Sequence, residues 1–488
     1  MKKVRTRFAP SPTGYMHIGN LRTALFEYLI AKKDGGDFIL RIEDTDQGRK
    51  VEGAVDIIYD TLKTCGLNWD EGPDVGGNYG PYIQSERLSM YKGYALDLIE
   101  KNGAHYCFCK ECELEAQRKE AGDSFKFVDP CKNLTKEQIQ EKLDHNEEYV
   151  IRQTIENVEK TSYYDEVYGQ IDVDADVLEE QVLIKSDGFP TYNFANIIDD
   201  HTMNITHVVR GNEYLSSTPK YNLIYDAYGW DRPTYVHVPP VMKDESHKLS
   251  KRNGDASFQD LVKKGYLPEA IINYIALLGW SPETDQEIYT MDELLKAFKV
   301  NRISKSPAIF DIDKLAWMNG EYINKMDLDS FYELAKPILE EIITKPYDLK
   351  EIASLVQPRI KRISKEDIEP LIDFFEELPD YDLEMYKHKK MKTTKENSIE
   401  PLKEAYIVLS QLEDWSNAQN IQDALMSLPA KLEVKNGRVL WPVRTAVSGK
   451  QFTPGGAMEI GHILGKEETL RRIQIGIQRL EKDLESNC

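Results

Sequence analysis

Arg7-Phe-Ala-Pro-Ser-Pro-Thr-Gly-Tyr-Met-His-Ile-Gly-Asn20 is the stretch on which the reading of this chain turns. Before it, Val4 to Phe8 alternates apolar and polar residues, as a short strand does. Pro10, Pro12 and Gly14 then force a turn. Beyond it, Leu21, Ala24, Leu25, Tyr28 and Leu29 fall on one helical face, Gly35-Gly36 ends that helix, and Asp37 to Glu43 reads as a second strand. The unit is strand, tight turn, helix, strand, with His17 and Gly19 at the helix entrance. Backbone N–H groups and the positive end of the helix dipole converge there, which makes a seat for a phosphate. It is not a Walker loop, because Asn20-Leu21 stands where Lys-Ser/Thr is required, and no GxGxxG fingerprint appears at the turn.

The remaining composition sets bounds. At roughly 150 residues per domain, 488 residues predict about three domains. Hydrophobic content of 41% and charged content of 30% describe an ordinary globular chain. No apolar run approaches the ~20 residues of a membrane span. Met-Lys-Lys-Val-Arg is followed by no apolar core of a signal peptide, so a cytoplasmic protein is expected. The net charge of −21 argues, on average, against a nucleic-acid partner. Phosphate binding depends on local basic surface, however, so this average excludes nothing. Of six cysteines, Cys107, Cys109, Cys112 and Cys131 cluster, a pattern that favours a metal site over a disulfide framework in a cytosolic chain.

His17-Ile-Gly-Asn20 resembles the HIGH signature of class I aminoacyl-tRNA synthetases. Lys248-Leu249-Ser250-Lys251-Arg252, which follows the apolar strand Tyr235 to Pro239, resembles their KMSKS loop. Alone, the first is a helix-capping turn and the second a solvated basic loop. Together and in this order they mark the two ends of an interrupted α/β fold. With Arg7 to Gly14 and Leu40-Arg-Ile-Glu-Asp-Thr-Asp46, the chain resembles the bacterial-type glutamyl-tRNA synthetases over nearly its whole length.

The resemblance implies a Rossmann-like parallel sheet split by an α+β insertion, then an all-helical anticodon-binding portion. The expected divisions are the first half of a nucleotide-binding domain (1–106) and an inserted acceptor-binding region (107–185). The second half with the basic loop (186–255), a stem-contact region (256–326) and helical anticodon-binding domains (327–488) follow. It also implies ATP with Mg²⁺ as substrate, bound by His17, Gly19, Asn20, Lys248, Leu249, Ser250 and Lys251, of which His17, Lys248 and Lys251 serve the chemistry. L-glutamate is expected on Arg7, Ser11, Glu43, Tyr192, Asn196 and Arg210. The arginine forks prefer a carboxylate to the isosteric amide of glutamine. Tyr214, where members usually carry His or Trp, keeps an aromatic wall. Asn133 stands where a zinc-binding His is found in some members, so Cys112 is the expected fourth ligand beside Cys107, Cys109 and Cys131.

Expected partners are tRNA(Glu), with tRNA(Gln) left open, and the chain is expected to act as a monomer. Four alternatives remain. The Ala9-Pro10-Ser11-Pro12 turn argues against glutaminyl specificity, and the length against a shorter paralogue that modifies a tRNA base. A nucleotidylyltransferase would not need the C-terminal half. A tRNA-binding derivative with a dead site would not need His17, Lys248 and Lys251.

Overall fold

The turn at Gly14 (φ 101°) lies in the left-handed region, where glycine alone is unstrained, and it aims the chain from one strand into one helix. The computed structural model describes residues 2–45, 48, 51–110, 115, 119, 127–156, 158–249 and 257–486. Strand β1 (Arg5–Phe8) runs parallel to β2 (Asp37–Leu40), Arg5 opposite Asp37 and Phe8 opposite Leu40. Helix α1 (Ile18–Lys33) connects them and buries Leu21, Ala24, Leu25, Phe26 and Leu29 completely. Because both sides of the helix are covered, it is apolar around most of its girth, as a crossover helix over a parallel sheet should be. Helices α2 (Ala54–Thr64) and α3 (Leu88–Glu100) follow.

Strand β3 (Ala104–Cys107) starts a separate antiparallel sheet in the order β3-β4-β7, with β4 (Val150–Gln153) and β7 (Val182–Ile184). Helix α4 (Lys136–Asp144) lies between β3 and β4, and a Thr135/Gln138 capping box starts it. The hairpin of β5 (Lys160–Asp165) and β6 (Gly169–Asp174) behaves differently. It falls within 107–185, yet β5 pairs parallel with β9 (Thr234–Val238), giving the sheet order β6-β5-β9-β8 with β8 (His207–Gly211). The Thr206 N–H donates to Arg5 O at 2.9 Å, which seats β8 beside β1. Helix α5 (Tyr192–Thr202) precedes β8, and α6 (Thr218–Tyr228) joins β8 to β9.

The chain divides into two compact units, residues 1–263 with 268–312, and residues 264–267 with 313–488. In the second, every described regular element is helical, in agreement with the expected all-helical end. Val439 lies inside the helix Gly437–Ser448. Its core gathers Phe331, Leu339, Ile352, Phe374, Phe375, Leu409 and Ile473. Buried Arg472 ties that core together, donating from Nη1 to Phe374 O and Val447 O at 2.7 Å each. Of the basic runs, Arg362 pairs with Asp367 and Lys365 with Glu341, whereas Lys389, Lys390 and Lys392 are exposed and form no ion pair with described residues.

At the end of α1, a Cβ on Gly36 would sit 2.4 Å from Val4 O and 2.7 Å from Ala31 O, both backbone atoms. Gly36→Ala is expected to destabilise the protein by about 1–3 kcal/mol, read as a fall in the denaturation midpoint.

Candidate active site

Strand β1, its following turn, α1, the end of β2, the start of α5 and the end of β8 enclose a cavity of about 500 Å³. That volume suits a small ligand. Six residues expected to bind substrates line it: Arg7, Ser11, Asn20, Glu43, Tyr192 and Arg210. Asn196 does not. One turn behind Tyr192 on α5, it is buried and donates from Nδ2 to Tyr192 O at 2.7 Å. Helical i, i−4 bonding takes its amide away from the cavity.

A buried charge network holds Arg7 and Glu43 of the cavity lining. Adjacent Asp199 and Asp200 on α5 act as a double clamp. Asp200 Oδ1 accepts from Arg7 Nε at 2.9 Å and Arg41 Nη1 at 2.7 Å. Asp199 accepts from Arg87 Nε at 2.7 Å, Gln84 Nε2 at 2.8 Å and Tyr91 OH at 2.8 Å. Against the cost of burial, Arg7 and Arg41 hold the Asp200 carboxyl below the usual carboxylate range. Arg41 Nη2 reaches Glu43 Oε1 at 3.0 Å, while burial pushes the Glu43 carboxyl up. Arg7 also donates through Nη1 to Glu27 Oε1 and to Val209 O.

Arg210 lines the cavity from β8, the strand beside β1. Its guanidinium lies over the rings of Tyr214, Tyr221 and Tyr235, at 5.2, 4.9 and 5.5 Å from their centroids. Tyr192 and Tyr214 contact each other with centroids 5.4 Å apart, so Tyr214 does form an aromatic wall. Arg7 Nη2 and Arg210 Nη1 have no hydrogen-bond partner among the described residues, and neither is sealed from solvent. Two donor groups of fixed charge therefore face one cavity.

At its mouth, His17 caps α1, its Nδ1 accepting from Gly19 N–H at 3.0 Å. Nδ1 is thereby an acceptor, so Nε2 carries the proton and donates to Leu249 O at 3.0 Å. The cap also engages the Gly19 N–H expected to meet phosphate. Lys248 is exposed and bridges Met242, Leu249 is buried, and the bridge His17–Ser257 with Phe258 N–H on Met16 O (3.1 Å) ties the far side of the basic loop to the same turn. Ser250 and Lys251 lie outside the described residues.

Glu27 is a cavity residue that no motif marks. It is 1% exposed, its Oε2 has no partner among the described residues, and it stands in α1 between Phe26 and Tyr28. The only available signal is a carboxylate in a helix otherwise apolar nearly all round. Burial pushes its carboxyl well above the usual range, and Asp200 adds to that. Arg7 opposes the shift, but it already shares its charge with Asp200. Glu213 and Thr45 line the cavity as well.

A second cluster lies in the antiparallel sheet region. Donor atoms of Cys107, Cys109, Asp129 and Cys131 all lie within 4.8 Å of one another. Cys112, the expected fourth ligand, lies outside the described residues; among the described ones Asp129 joins the three cysteines, while Asn133 ends the short turn Pro130–Asn133. Asp129 caps that turn through Cys131 N–H at 2.9 Å and takes His105 Nε2 at 3.0 Å on its other oxygen. Burial, then the Asp129 hydrogen bond, pushes the Cys107 thiol up to about 11. Three soft sulfurs and a carboxylate, oriented by a histidine, fit a zinc ion.

Residues 3–317 match the family model described as tRNA synthetases class I (E and Q), catalytic domain. The chain belongs to that family. Residues 330–477 of the synthetase match an anticodon binding domain. It is 59% identical over 482 residues to a glutamate–tRNA ligase of Clostridium botulinum, covering 98% of this chain and 99% of that one. To the Clostridium tetani glutamate–tRNA ligase it is 58% identical over 485 residues, covering 99% of each chain. Among solved structures, a glutamate tRNA ligase from Elizabethkingia meningosepticum, determined in complex with its amino acid, superposes with TM-score 0.89 at 35% identity, covering 98% of this synthetase and 100% of that chain.

The raised Glu27 carboxyl has a stability consequence. A group neutral when folded and ionised when unfolded stabilises below its unfolded pKa, about 4.3, and that stability is lost as pH rises towards its folded value. Glu27→Gln removes the titration, so the variant's melting temperature minus that of the wild type is expected to increase as pH goes from 4 to 8. A difference independent of pH would show Glu27 ionised in the folded protein.

Proposed function

We propose that this synthetase is a glutamate–tRNA ligase whose amino-acid site is the cavity between Arg7 and Arg210. The observation that carries it is the pair of arginines on the adjacent strands β1 and β8, each with a donor group left over and both lining one small cavity. A dicarboxylic amino acid satisfies both, whereas glutamine would leave a buried charge without its counter-ion, and such mismatches are costly. Glu43 offers the carboxylate for the α-ammonium, and an arriving cation reverses the upward push of burial. Ser11 and Tyr192 supply orienting hydrogen bonds. Asn196 acts one step removed, by fixing the turn that carries Tyr192.

The substrate α-carboxylate oxygen attacks the α-phosphorus of ATP, which enters as its Mg²⁺ complex. The bond to the β-phosphate oxygen breaks and pyrophosphate leaves. A terminal ribose hydroxyl of tRNA then attacks the carbonyl carbon, AMP departs, and the ester forms. Such steps need alignment and charge dispersal more than covalent help. The turn bearing His17 and Asn20 lies where the α-phosphate would rest, and Lys248 and Lys251 serve the departing pyrophosphate. His17 also joins that turn to the basic loop, so loop position and helix entrance respond together.

The five divisions expected from the resemblance stand as part of this reading, with the β5/β6 hairpin serving the nucleotide-binding sheet. We assign zinc to Cys107, Cys109, Asp129 and Cys131, where it would brace the region expected to meet the tRNA acceptor end. The exposed Lys389, Lys390 and Lys392 offer phosphate-binding surface despite the acidic whole. The protein is read as a cytoplasmic monomer that charges tRNA(Glu), with tRNA(Gln) the second substrate to test.

Labelled glutamate, ATP, Mg²⁺ and purified tRNAs decide the matter. Glutamate is expected on tRNA(Glu), and Lys251→Ala is expected to lose most of the rate. Arg210→Ala is expected to raise the KM for glutamate about 30-fold or more in ATP–pyrophosphate exchange. Charging of tRNA(Gln) with glutamate would make the enzyme non-discriminating; charging with glutamine instead would overturn the cavity assignment. Elemental analysis is expected to find one zinc per chain, lost in Cys131→Ser; a metal-free wild type would refute the zinc assignment.

A further inference from the structure

Behind Arg210, on the neighbouring strand β9, lies a histidine with no exposed surface. His237 and its partner Asp165, at the end of β5, are both 0% exposed. Asp165 Oδ2 accepts from His237 Nδ1 at 2.6 Å and from His237 N–H at 3.1 Å. Asp165 Oδ1 accepts from the backbone N–H groups of Val167 at 2.9 Å and Tyr168 at 2.8 Å. Each carboxylate oxygen thus faces donors, which places the ring proton on Nδ1. Burial lowers the His237 pKa, favouring the neutral ring. Its Nε2 is then a lone pair, and Arg210 Nε lies 3.2 Å from it.

An arginine can only donate. If the ring carried its proton on Nε2, or on both nitrogens, that N–H would oppose Arg210 Nε, and the acceptor beside it, Thr218 Oγ1 at 3.2 Å, already takes Arg210 Nη2. Arg210 is held a second time by Thr218, whose Oγ1 accepts from Nη2 at 2.8 Å and lies 2.8 Å from Tyr214 O, to which it donates. With Nε and Nη2 engaged behind, Nη1 is left for the cavity.

We propose that Asp165 and His237 are positioning residues for the amino-acid site. By holding His237 with its proton on Nδ1, Asp165 presents a lone pair to Arg210 and sets the guanidinium for the substrate's side-chain carboxylate. This rests on the reading of Arg210 given above.

Asp165→Asn tests it with little change of shape. With its amide oxygen retained by the Val167 and Tyr168 N–H groups, the NH₂ faces Nδ1 and drives the ring proton to Nε2, against Arg210. The expected result in ATP–pyrophosphate exchange is a rise of about 10-fold in the KM for glutamate, with the KM for ATP unchanged. ¹⁵N spectra of histidine-labelled protein should show His237 change from the Nδ1–H to the Nε2–H form. His237→Gln removes the tautomer while its amide oxygen can still accept from Arg210, so adding Asp165→Asn to that background should raise the KM no further. The proposal is overturned if Asp165→Asn lowers the melting temperature but leaves the glutamate KM alone, or if it raises that KM equally in both backgrounds. An Arg210→Ala variant with wild-type glutamate KM would instead overturn the reading beneath it. A raised KM in Arg210→Ala but not in Asp165→Asn overturns the positioning role alone.

Discussion

The double carboxylate of Asp199 and Asp200 is the constraint on which the catalytic unit depends. Four charged side chains from three separate segments, Arg7, Arg41, Arg87 and through Arg41 also Glu43, are oriented by two adjacent residues of one helix. Buried ion pairs are poor sources of net stability, because desolvation offsets most of the attraction. Removing one partner is another matter, since the charge left behind has no solvent to turn to. The network therefore contributes fixed positions rather than a deep energy well. A site that must tell a carboxylate from an amide needs its arginines in place before the ligand arrives.

How far this was legible in the sequence differs from residue to residue. Arg7, Ser11 and Asn20 could be found because they sit in one contiguous turn whose prolines and glycine leave little conformational choice. Arg210 and Tyr192 were legible only through resemblance, since nothing local says that β8 and α5 face β1. Glu27 was not legible: a glutamate in a helix reads as a solvent-facing residue, and its burial is decided by strands that arrive from elsewhere. Asp129 was hidden for a similar reason, as Asp-Pro is an ordinary turn signal and the thiols drew attention away from it. Asn196 differs again, a polar residue that the cavity lining does not include and whose Nδ2 donates within its own helix.

The hairpin of β5 and β6 shows what a linear reading of strands leaves open. Its alternation announces strands, but pairing partners are chosen by long-range contacts, and β5 joins β9 rather than the sheet that precedes it. Through Asp165 and His237 that choice extends to Arg210, which lines the cavity. The basic loop and the helix entrance are likewise joined through the one imidazole of His17, although more than two hundred residues separate them in sequence.

The strand order has a consequence for how the protein is made. Arg5 is hydrogen-bonded to Thr206, and Thr206 in turn receives Thr234, so the wall that carries Arg7 and Arg210 is closed by residues far apart along the chain. Non-local parallel pairing forms late and slowly. During synthesis the first strand and its helix leave the ribosome long before their neighbours exist, with an unpaired edge and an apolar helix face to shelter. The wall that carries both arginines is therefore complete only once β8 and β9 have emerged, late in the synthesis of the catalytic unit.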